Sequence, residues 1–366
     1  MRFTRFGTIG AVAIAASVLL SSCAANEGGG SSTDEGSSES TISGTFAGAG
    51  ASSQGSAQEA WVAAFQNENA DVTIDYDPSG SGAGRESFIA GGTVFAGSDS
   101  VLSDDELAGT FESCAPDTKA IDLPVYISPI AVIFNVEGVD ELKLDAATLA
   151  SIFKGDITTW NDAAITALNP DAALPAAPIT AVHRSDDSGT TKNFADYLGK
   201  VAPEVWDAEA EDAFPYSGGE AAQGTSGVVD AVTNGTNTIG YADASKAGDL
   251  GTAAIKVGDE FVNYTPEAAA AVVDESPAGD TNNGETDLAI SLDRKTTDPT
   301  HYPLVLVSYI VTCVEFEDAE AAALVKPYIQ YITSEDGQAE AASSAGAAPL
   351  SADLSAKVAT ALEAIK

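Results

Sequence analysis

Three short turns rich in serine, glycine and threonine have the composition of an anion-binding site. They occupy residues 48–53 (GAGASS), 79–84 (SGSGAG) and 184–190 (RSDDSGT). Each is predicted to open a helix, where hydroxyls and backbone N–H groups meet the positive end of the helix dipole. Any one turn alone is better explained as a helix cap. Three in one chain, one of them carrying an arginine, indicate a site for a tetrahedral oxyanion.

The net charge is the main objection to an anionic ligand. The chain carries 16 Lys+Arg against 55 Asp+Glu, a formal charge of −39, and 44% of its residues are hydrophobic, as in a globular protein. This charge excludes a general nucleic-acid binder and argues against electrostatic docking on an anionic membrane. At about 25 Å, with a Debye length of about 8 Å, it repels a small dianion by only about half a kcal/mol. One arginine at about 4 Å attracts each ligand charge by about 4 kcal/mol before desolvation.

The N-terminus is predicted to be an export signal. Arg2 and Arg5 precede an apolar stretch at 9–20, which is too short to span a bilayer comfortably. The stretch ends in Leu-Ser-Ser-Cys at 20–23, which resembles the lipobox of bacterial lipoproteins. An ordinary cleaved signal with a chance cysteine is the alternative. We therefore expect a signal peptide at 1–22, a mature chain of net charge −41, and a lipid-anchored protein on the extracytoplasmic face of the cell membrane.

The lipobox assigns one of the three cysteines, Cys23, to the lipid anchor, and residues 23–43 form a Gly/Ser-rich tether behind it. In an oxidising compartment the other two, Cys114 and Cys313, are predicted to form a disulfide, with two buried free thiols as the alternative. The sequence contains no C-x-x-C motif and no His/Cys cluster. We therefore predict no metal site and no cofactor.

Predicted strands and helices alternate from residue 44 onwards, which indicates an α/β fold with helix-covered sheets. The pattern predicts a strand over 72–76, two strands within 121–136, and a strand over 304–314. Asp145 is expected to cap a helix. The acidic stretch 266–290 has no clear periodicity and is predicted to lie on the surface. In such folds ligands bind at helix N-termini beyond the strand ends.

Four motifs together resemble the phosphate-binding protein of bacterial Pst-type ABC phosphate importers. The most specific is HRSDDSGT at 183–190, which is close to the family pattern R-x-D-x-S-G-T. FAGSDSVLS at 95–103 is similar to F-G-A-S-D-x-P-L-S, GDITTWND at 155–162 to G-x-I-x-x-W-x-D, and IGY at 239–241 to the family's I-G-Y strand. The resemblance extends from about residue 44 to the C-terminus.

The resemblance implies a two-lobed, type II periplasmic-binding-protein fold that closes over one phosphate ion in the cleft. Lobe I would comprise 44–124 plus 303–366, and lobe II 125–302. The partners implied are inorganic phosphate and the membrane permease of an importer, and we expect a monomer. The phosphate contacts would fall on Ser52, Ser53, Ser81, Asp99, Arg184, Ser188, Gly189 and Thr190.

Each implied contact has a physical role. The planar fork of Arg184 suits bidentate contact with two oxygens, while serine and threonine hydroxyls donate single hydrogen bonds. The family's first loop often reads G-A-G-A-T-F, so Ser53 lacks the aromatic ring and would contribute only its backbone N–H. Asp99 is either a turn-capping residue or an acceptor for a proton on the ligand. In the second case it would admit phosphate and reject sulfate, which carries no proton. Asp186 is expected to orient Arg184 through a salt bridge.

Two alternative functions remain open. The site could bind another oxyanion, such as sulfate or molybdate. A Ser-dependent phosphatase or hydrolase is also conceivable, because His183 lies near Ser188 in sequence. However, the chain has no G-x-S-x-G nucleophile motif, and adjacent strand residues such as His183 and Arg184 point to opposite faces. We therefore predict a binding protein and not an enzyme.

Overall fold

Strands and helices alternate along the chain as the sequence predicts. The computed structural model describes residues 42–279, 284 and 286–366, so the predicted signal peptide, Cys23 and almost all of the tether lie outside the described residues. The strands are β1 Gly44–Gly50, β2 Val72–Asp77, β3 Phe95–Ser98, β4 Ala120–Asn135, β5 Leu142–Leu144, β6 Thr180–Arg184, β7 Glu220–Ala222, β8 Thr238–Asp243, β9 Gly251–Val257, β10 Glu260–Val262 and β11 Val305–Cys313. The helices are α1 Gly55–Glu68, α2 Ser81–Ile89, α3 Asp104–Leu107, α4 Ala146–Lys154, α5 Ala163–Leu168, α6 Gly189–Val201, α7 Gly224–Asn234, α8 Pro266–Glu275, α9 Ala319–Ile332, α10 Glu335–Ala345 and α11 Ala352–Glu363.

The strands pair in the order β2-β1-β3-β11-β4-β8-β6-β7, and β9 joins β4 to β5 and β10. Pairing is parallel within β2-β1-β3 and within β8-β6-β7, whereas β11 and β4 pair antiparallel to their neighbours. Two sets of parallel strands are therefore joined through two central antiparallel strands. This mixed, helix-covered arrangement confirms the predicted α/β class.

The prediction of two strands within 121–136 is wrong. One strand, β4, covers all of the segment except Val136, and its first fifteen residues are buried. It pairs with β11 as far as Pro129 and with β8 from Ile130 onwards. Pro124 lies opposite a register shift in β11, and Pro129 lies where the partner changes. Proline lacks an N–H and normally marks a strand end or an irregularity, and here both prolines mark irregularities within one strand.

The prediction that 266–290 is non-periodic surface is also wrong in its first half. Thr265 accepts a hydrogen bond from the backbone N–H of Ala268 and caps α8. Within α8, Ala269, Val272 and Val273 are buried, at the i, i+3, i+4 spacing of a packed helix face. Only three apolar side chains of modest size define that face, which makes it difficult to recognise from sequence.

Other local predictions are confirmed. Asp145 accepts a hydrogen bond from the N–H of Thr148 at 2.8 Å and caps α4. The strand predicted over 72–76 is β2, and that predicted over 304–314 is β11. Among the described residues, no helix is both long and apolar enough to cross a bilayer.

One buried carboxyl, that of Asp243, lies at the end of β8 beside the point where β4 changes partner. Tyr126 donates a hydrogen bond to its Oδ1 at 3.1 Å, and the N–H of Ser245 donates another at 2.9 Å. Burial raises the pKa of Asp243 to about 6, although hydrogen bonds from Ser245 and Ser128 oppose the rise. The folded protein therefore retains a proton at a pH where the unfolded chain, with a pKa of about 3.9, has lost it.

The predicted disulfide between Cys114 and Cys313 is present and joins residues 199 positions apart. It ties the end of β11 to the segment before β4. We expect the double variant Cys114→Ala/Cys313→Ala to lose about 2–5 kcal/mol of unfolding free energy, because the unfolded chain regains the entropy of a long loop. Denaturant unfolding with and without reductant measures this. Reductant should not affect the double variant, and an equal midpoint for both proteins would contradict the prediction.

Asp243 should make stability depend on pH. Since the folded pKa is raised, the contribution of Asp243 to the free energy of unfolding falls as pH rises from about 4 to about 6 and is constant above that range. Asp243→Asn has no titrating group at this position and lacks this pH-dependent contribution. Its stability relative to wild type should therefore increase by up to about 3 kcal/mol between pH 4 and 6.5, whatever constant offset the substitution adds. Urea unfolding of both proteins across this range checks the slope, and parallel profiles would count against it.

Candidate oxyanion-binding site

The three turns predicted from sequence lie against one another at the ends of β1, β2 and β6. The N–H of Gly80 donates to the carbonyl of Gly50 at 2.8 Å, which joins the first and second turns. The N–H of Gly82 donates to the carbonyl of Asp187 at 3.1 Å, which joins the second and third. The ends of these three strands and the helix starts that follow them therefore lie close together, as expected for a ligand site in an α/β fold.

Asp99, directly after β3, lies at the centre of this cluster. Its Oδ1 accepts hydrogen bonds from Ser53 and Ser308, each at 2.6 Å, and its Oδ2 accepts one from Thr190 at 2.9 Å. The side chain is buried, and burial raises the pKa of Asp99, while these three hydrogen bonds and the charge of Arg184 oppose the rise. A carboxylate is thus placed among groups that otherwise suit an anion.

The cation of the cluster, Arg184, is the last residue of β6 and is 3% exposed. Its Nε donates to Asp186 at 2.8 Å, and its Nη2 forms an ion pair with the other carboxylate oxygen. Burial alone would raise the pKa of Asp186, but Arg184 outweighs it and holds that pKa below its usual value. Asp186 also accepts from the N–H of Gly224 at 3.0 Å. The predicted salt bridge is therefore present, and it orients the guanidinium.

The start of α6 carries the third turn. Ser188 is the N-cap and accepts a hydrogen bond from the N–H of Thr191. A methyl group at Gly189 would lie 2.7 Å from Cβ of Asp99 and 2.8 Å from Oγ of Ser81. Only glycine allows the helix start to approach the second turn and Asp99 so closely.

The two remaining serines also bond across the cluster. Ser52 lies 3.0 Å, oxygen to oxygen, from Thr225, and it accepts from the N–H of that residue. Ser81 accepts from the N–H of Asp99 at 3.2 Å. The structure thus brings all eight predicted residues together and buries them: Ser52, Ser53, Ser81, Asp99, Arg184, Ser188, Gly189 and Thr190. Their contribution to a ligand remains a prediction.

Sequence reasoning missed several members of the cluster. Ser308 lies on β11, inside a run of apolar residues, and its hydroxyl reaches Asp99. Asn193, one helical turn after Gly189, donates to the carbonyl of Asp99 at 2.7 Å. A polar residue within a buried strand was the available signal for Ser308. Asn193 could not be recognised, since its role depends on where α6 packs.

His183 does not face Ser188. Its two ring nitrogens lie 2.9 and 3.0 Å from the backbone carbonyl oxygens of Arg184 and Gly218, and its ring stacks on Phe214 with centroids 4.0 Å apart. His183 and Ser188 therefore do not form a pair of the kind that activates a nucleophile. Over 42–279, 284 and 286–366, no group of three or more His, Cys, Asp or Glu residues could hold a metal ion.

The sequence similarity to known proteins extends over nearly the whole chain. The model for the PBP superfamily domain matches residues 35–336. Phosphate-binding protein PstS3 of Mycobacterium bovis BCG is 36% identical over 342 residues, covering 90% of this chain and 91% of that protein. Phosphate-binding protein PstS 2 of Mycobacterium tuberculosis H37Rv is 33% identical over 377 residues, covering all of both.

Solved structures share the fold at lower sequence identity. A high-affinity periplasmic phosphate-binding protein solved with phosphate (PfluDING) has a TM-score of 0.69 and 20% identity, covering 87% of this chain and 93% of that one. A putative phosphate ABC transporter substrate-binding protein from Clostridium perfringens has a TM-score of 0.60 and 20% identity, covering 84% and 100%. The fold class is therefore that of the two-lobed periplasmic binding proteins. This chain belongs to the PBP superfamily, within the family of its relatives named phosphate-binding protein PstS.

Proposed function

We propose that this protein binds inorganic phosphate outside the cell membrane with high affinity and delivers it to the permease of an ABC importer. The names of its relatives support this proposal, since they match over nearly the whole chain. The observation that carries it is the position of Asp99, a buried hydrogen-bond acceptor among three donor-rich turns and one arginine. This combination fits an anion that itself carries a proton.

Phosphate would be held by local donors. The guanidinium of Arg184, oriented by Asp186, would donate hydrogen bonds to two phosphate oxygens. The hydroxyls of Ser52, Ser81 and Ser188 and the N–H groups of Ser53, Gly189 and Thr190 would supply the other hydrogen bonds. The hydroxyl of Thr190 donates its one proton to Asp99, so Thr190 would contact the ligand through its main chain. The hydroxyl of Ser53 bonds Asp99, in agreement with a ligand contact through the main chain alone.

Asp99 would select the ligand by its protonation state. At neutral pH phosphate retains at least one proton and can donate it to a carboxylate, whereas sulfate cannot. A sulfate ion in this site would place two unpaired acceptors against each other in a buried setting, which is strongly unfavourable. The hydroxyls of Ser53 and Ser308 hold the carboxylate in the position from which it would discriminate phosphate from sulfate.

Closure of two lobes would complete the site. We place lobe I at 44–124 plus 303–366 and lobe II at 125–302, so that the first two turns and Asp99 belong to lobe I and the third turn to lobe II. The change of partner of β4 at residues 129–130 supports a crossover near this boundary. Closure would exclude water and present one recognisable form of a monomer to the permease.

Calorimetry of the purified protein and of Asp99→Asn, each titrated with phosphate and with sulfate, tests ligand and selectivity together. We expect wild type to bind phosphate tightly and to bind sulfate at least about 1,000-fold more weakly. An asparagine amide can donate to sulfate, so the ratio of the two affinities should fall by at least about tenfold in the variant.

The same titrations distinguish the alternatives. Tight sulfate or molybdate binding by wild type without phosphate binding would overturn the proposal in favour of another oxyanion. We propose that the protein is not an enzyme. Release of phosphate from a phosphate monoester by wild type but not by Ser188→Ala would favour the hydrolase instead.

We also propose that Cys23 carries the lipid that anchors the protein. In a bacterial expression host fed labelled palmitate, wild type should take up label and sediment with membranes. Cys23→Ala should do neither, while Cys114→Ala/Cys313→Ala should retain the label. Equal labelling of wild type and Cys23→Ala would contradict the anchor.

A further inference from the structure

A second arginine, Arg85 on α2, makes a buried ion pair outside the predicted phosphate contacts. Its Nη2 lies 2.6 Å from Oδ2 of Asp212, and its Nε lies 2.8 Å from Glu106. Asp212 belongs to the connection between α6 and β7, far from Arg85 in sequence. Burial would lower the pKa of Arg85, but Asp212 and Glu106 outweigh it and raise that pKa, so the guanidinium stays charged.

The Arg85 guanidinium also holds the chain on both sides of Asp99. Its Nη1 donates to the hydroxyls of Ser98 and Ser100, each at 3.0 Å. The Ser98 hydroxyl in turn donates to the carbonyl of Ser100. The turn that carries Asp99 is therefore bound to α2 through one side chain.

Asp212, the ion-pair partner of Arg85, also bonds to two of the turns that surround the predicted site. Its backbone carbonyl accepts a hydrogen bond at 2.9 Å from the N–H of Ser188, the N-cap of α6. Its carboxylate accepts at 3.2 Å from the hydroxyl of Ser100. One residue therefore bonds to the third turn through its main chain and to the Asp99 turn through its side chain.

From this arrangement we propose that Arg85, Ser100 and Asp212 form a latch that holds the two halves of the binding site together. The proposal rests on the function and lobes proposed above: Arg85 and Ser100 lie in lobe I, and Asp212 lies in lobe II. These residues are positioning residues, since they act through the turns that would contact the ligand. The latch would set how long phosphate remains bound.

A latch predicts a specific kinetic effect. Ligand would enter the open form, in which Arg85 and Asp212 are apart, so the association rate constant should barely depend on their contact. Escape requires the contact to break, so the dissociation rate constant should depend on it strongly. Loss of a buried charge partner typically acts on dissociation in this way.

Stopped-flow measurement of phosphate binding and release by wild type and Asp212→Asn tests the latch. We expect dissociation to be about 10- to 100-fold faster in the variant, with association changed by less than about threefold. Ser100→Ala removes two hydrogen bonds, one from Arg85 and one to Asp212, but no charge, and it should accelerate dissociation by about 3- to 10-fold. This milder variant keeps the proposal testable if Asp212→Asn does not fold.

Asp207→Asn is the matched control. Asp207 pairs with Lys154 at 2.9 Å, but both residues lie in lobe II and the carboxylate is largely exposed. Its phosphate kinetics should equal those of wild type. Small-angle scattering of the phosphate-saturated proteins gives a second readout: Asp212→Asn should have a larger radius of gyration than wild type and Asp207→Asn.

The outcomes separate the latch from the function. A wild-type protein that fails to bind phosphate overturns the proposed function and the latch with it. If wild type binds phosphate and Ser100→Ala and every folded Asp212→Asn sample release it at the wild-type rate, the latch is overturned while the function stands. Equal acceleration in Asp207→Asn would also overturn it, because a general loss of negative charge would then explain the effect.

Discussion

The buried carboxylate of Asp99 is the constraint on which the rest of the site depends. A negative charge removed from water requires hydrogen-bond donors, and here the donors are the hydroxyls of Ser53, Thr190 and Ser308. These residues come from the turn before α1, the start of α6 and the middle of β11. The carboxylate can be satisfied only when these distant parts of the chain are assembled, so the group that would select the ligand also couples the site to the fold.

Local donors explain how a protein of net charge −39 can hold an anion. Diffuse charge is screened over the dimensions of the molecule, whereas an arginine and several aligned N–H and O–H groups act at contact distance. Two arginines of this region are each buried and each paired with a carboxylate: Arg184 with Asp186, and Arg85 with Asp212. Both cations are thereby fixed in position. A fixed donor loses less entropy when it binds a ligand than a mobile one does.

Sequence patterns predicted the α/β class and many of the elements, and the resemblance to phosphate-binding proteins implied Asp99 and the seven residues that cluster around it. These features depend on local chemistry: helix caps, glycine-rich turns and apolar strands. The missed features depend on tertiary packing. β4 continues through Pro124, beside which its register with β11 shifts, and through Pro129, after which its partner changes from β11 to β8. Ser308 and Asp212 join the site only through long-range contacts, and α8 becomes a packed helix only against its neighbours. Ser308 had one local signal, as a polar residue within a buried strand, whereas no local signal distinguishes Asp212 or the buried face of α8 from ordinary surface positions.

The most direct test of this account is a crystal structure of the protein grown with phosphate and with sulfate in separate drops. The account predicts a tetrahedral ion between the three turns in the phosphate crystals, with a carboxylate oxygen of Asp99 about 2.5–2.7 Å from one phosphate oxygen, as expected for a charge-assisted O–H···O⁻ bond. It predicts no ion at that position in the sulfate crystals. A phosphate ion bound elsewhere, or bound here with Asp99 turned away from it, would contradict the central role of this carboxylate.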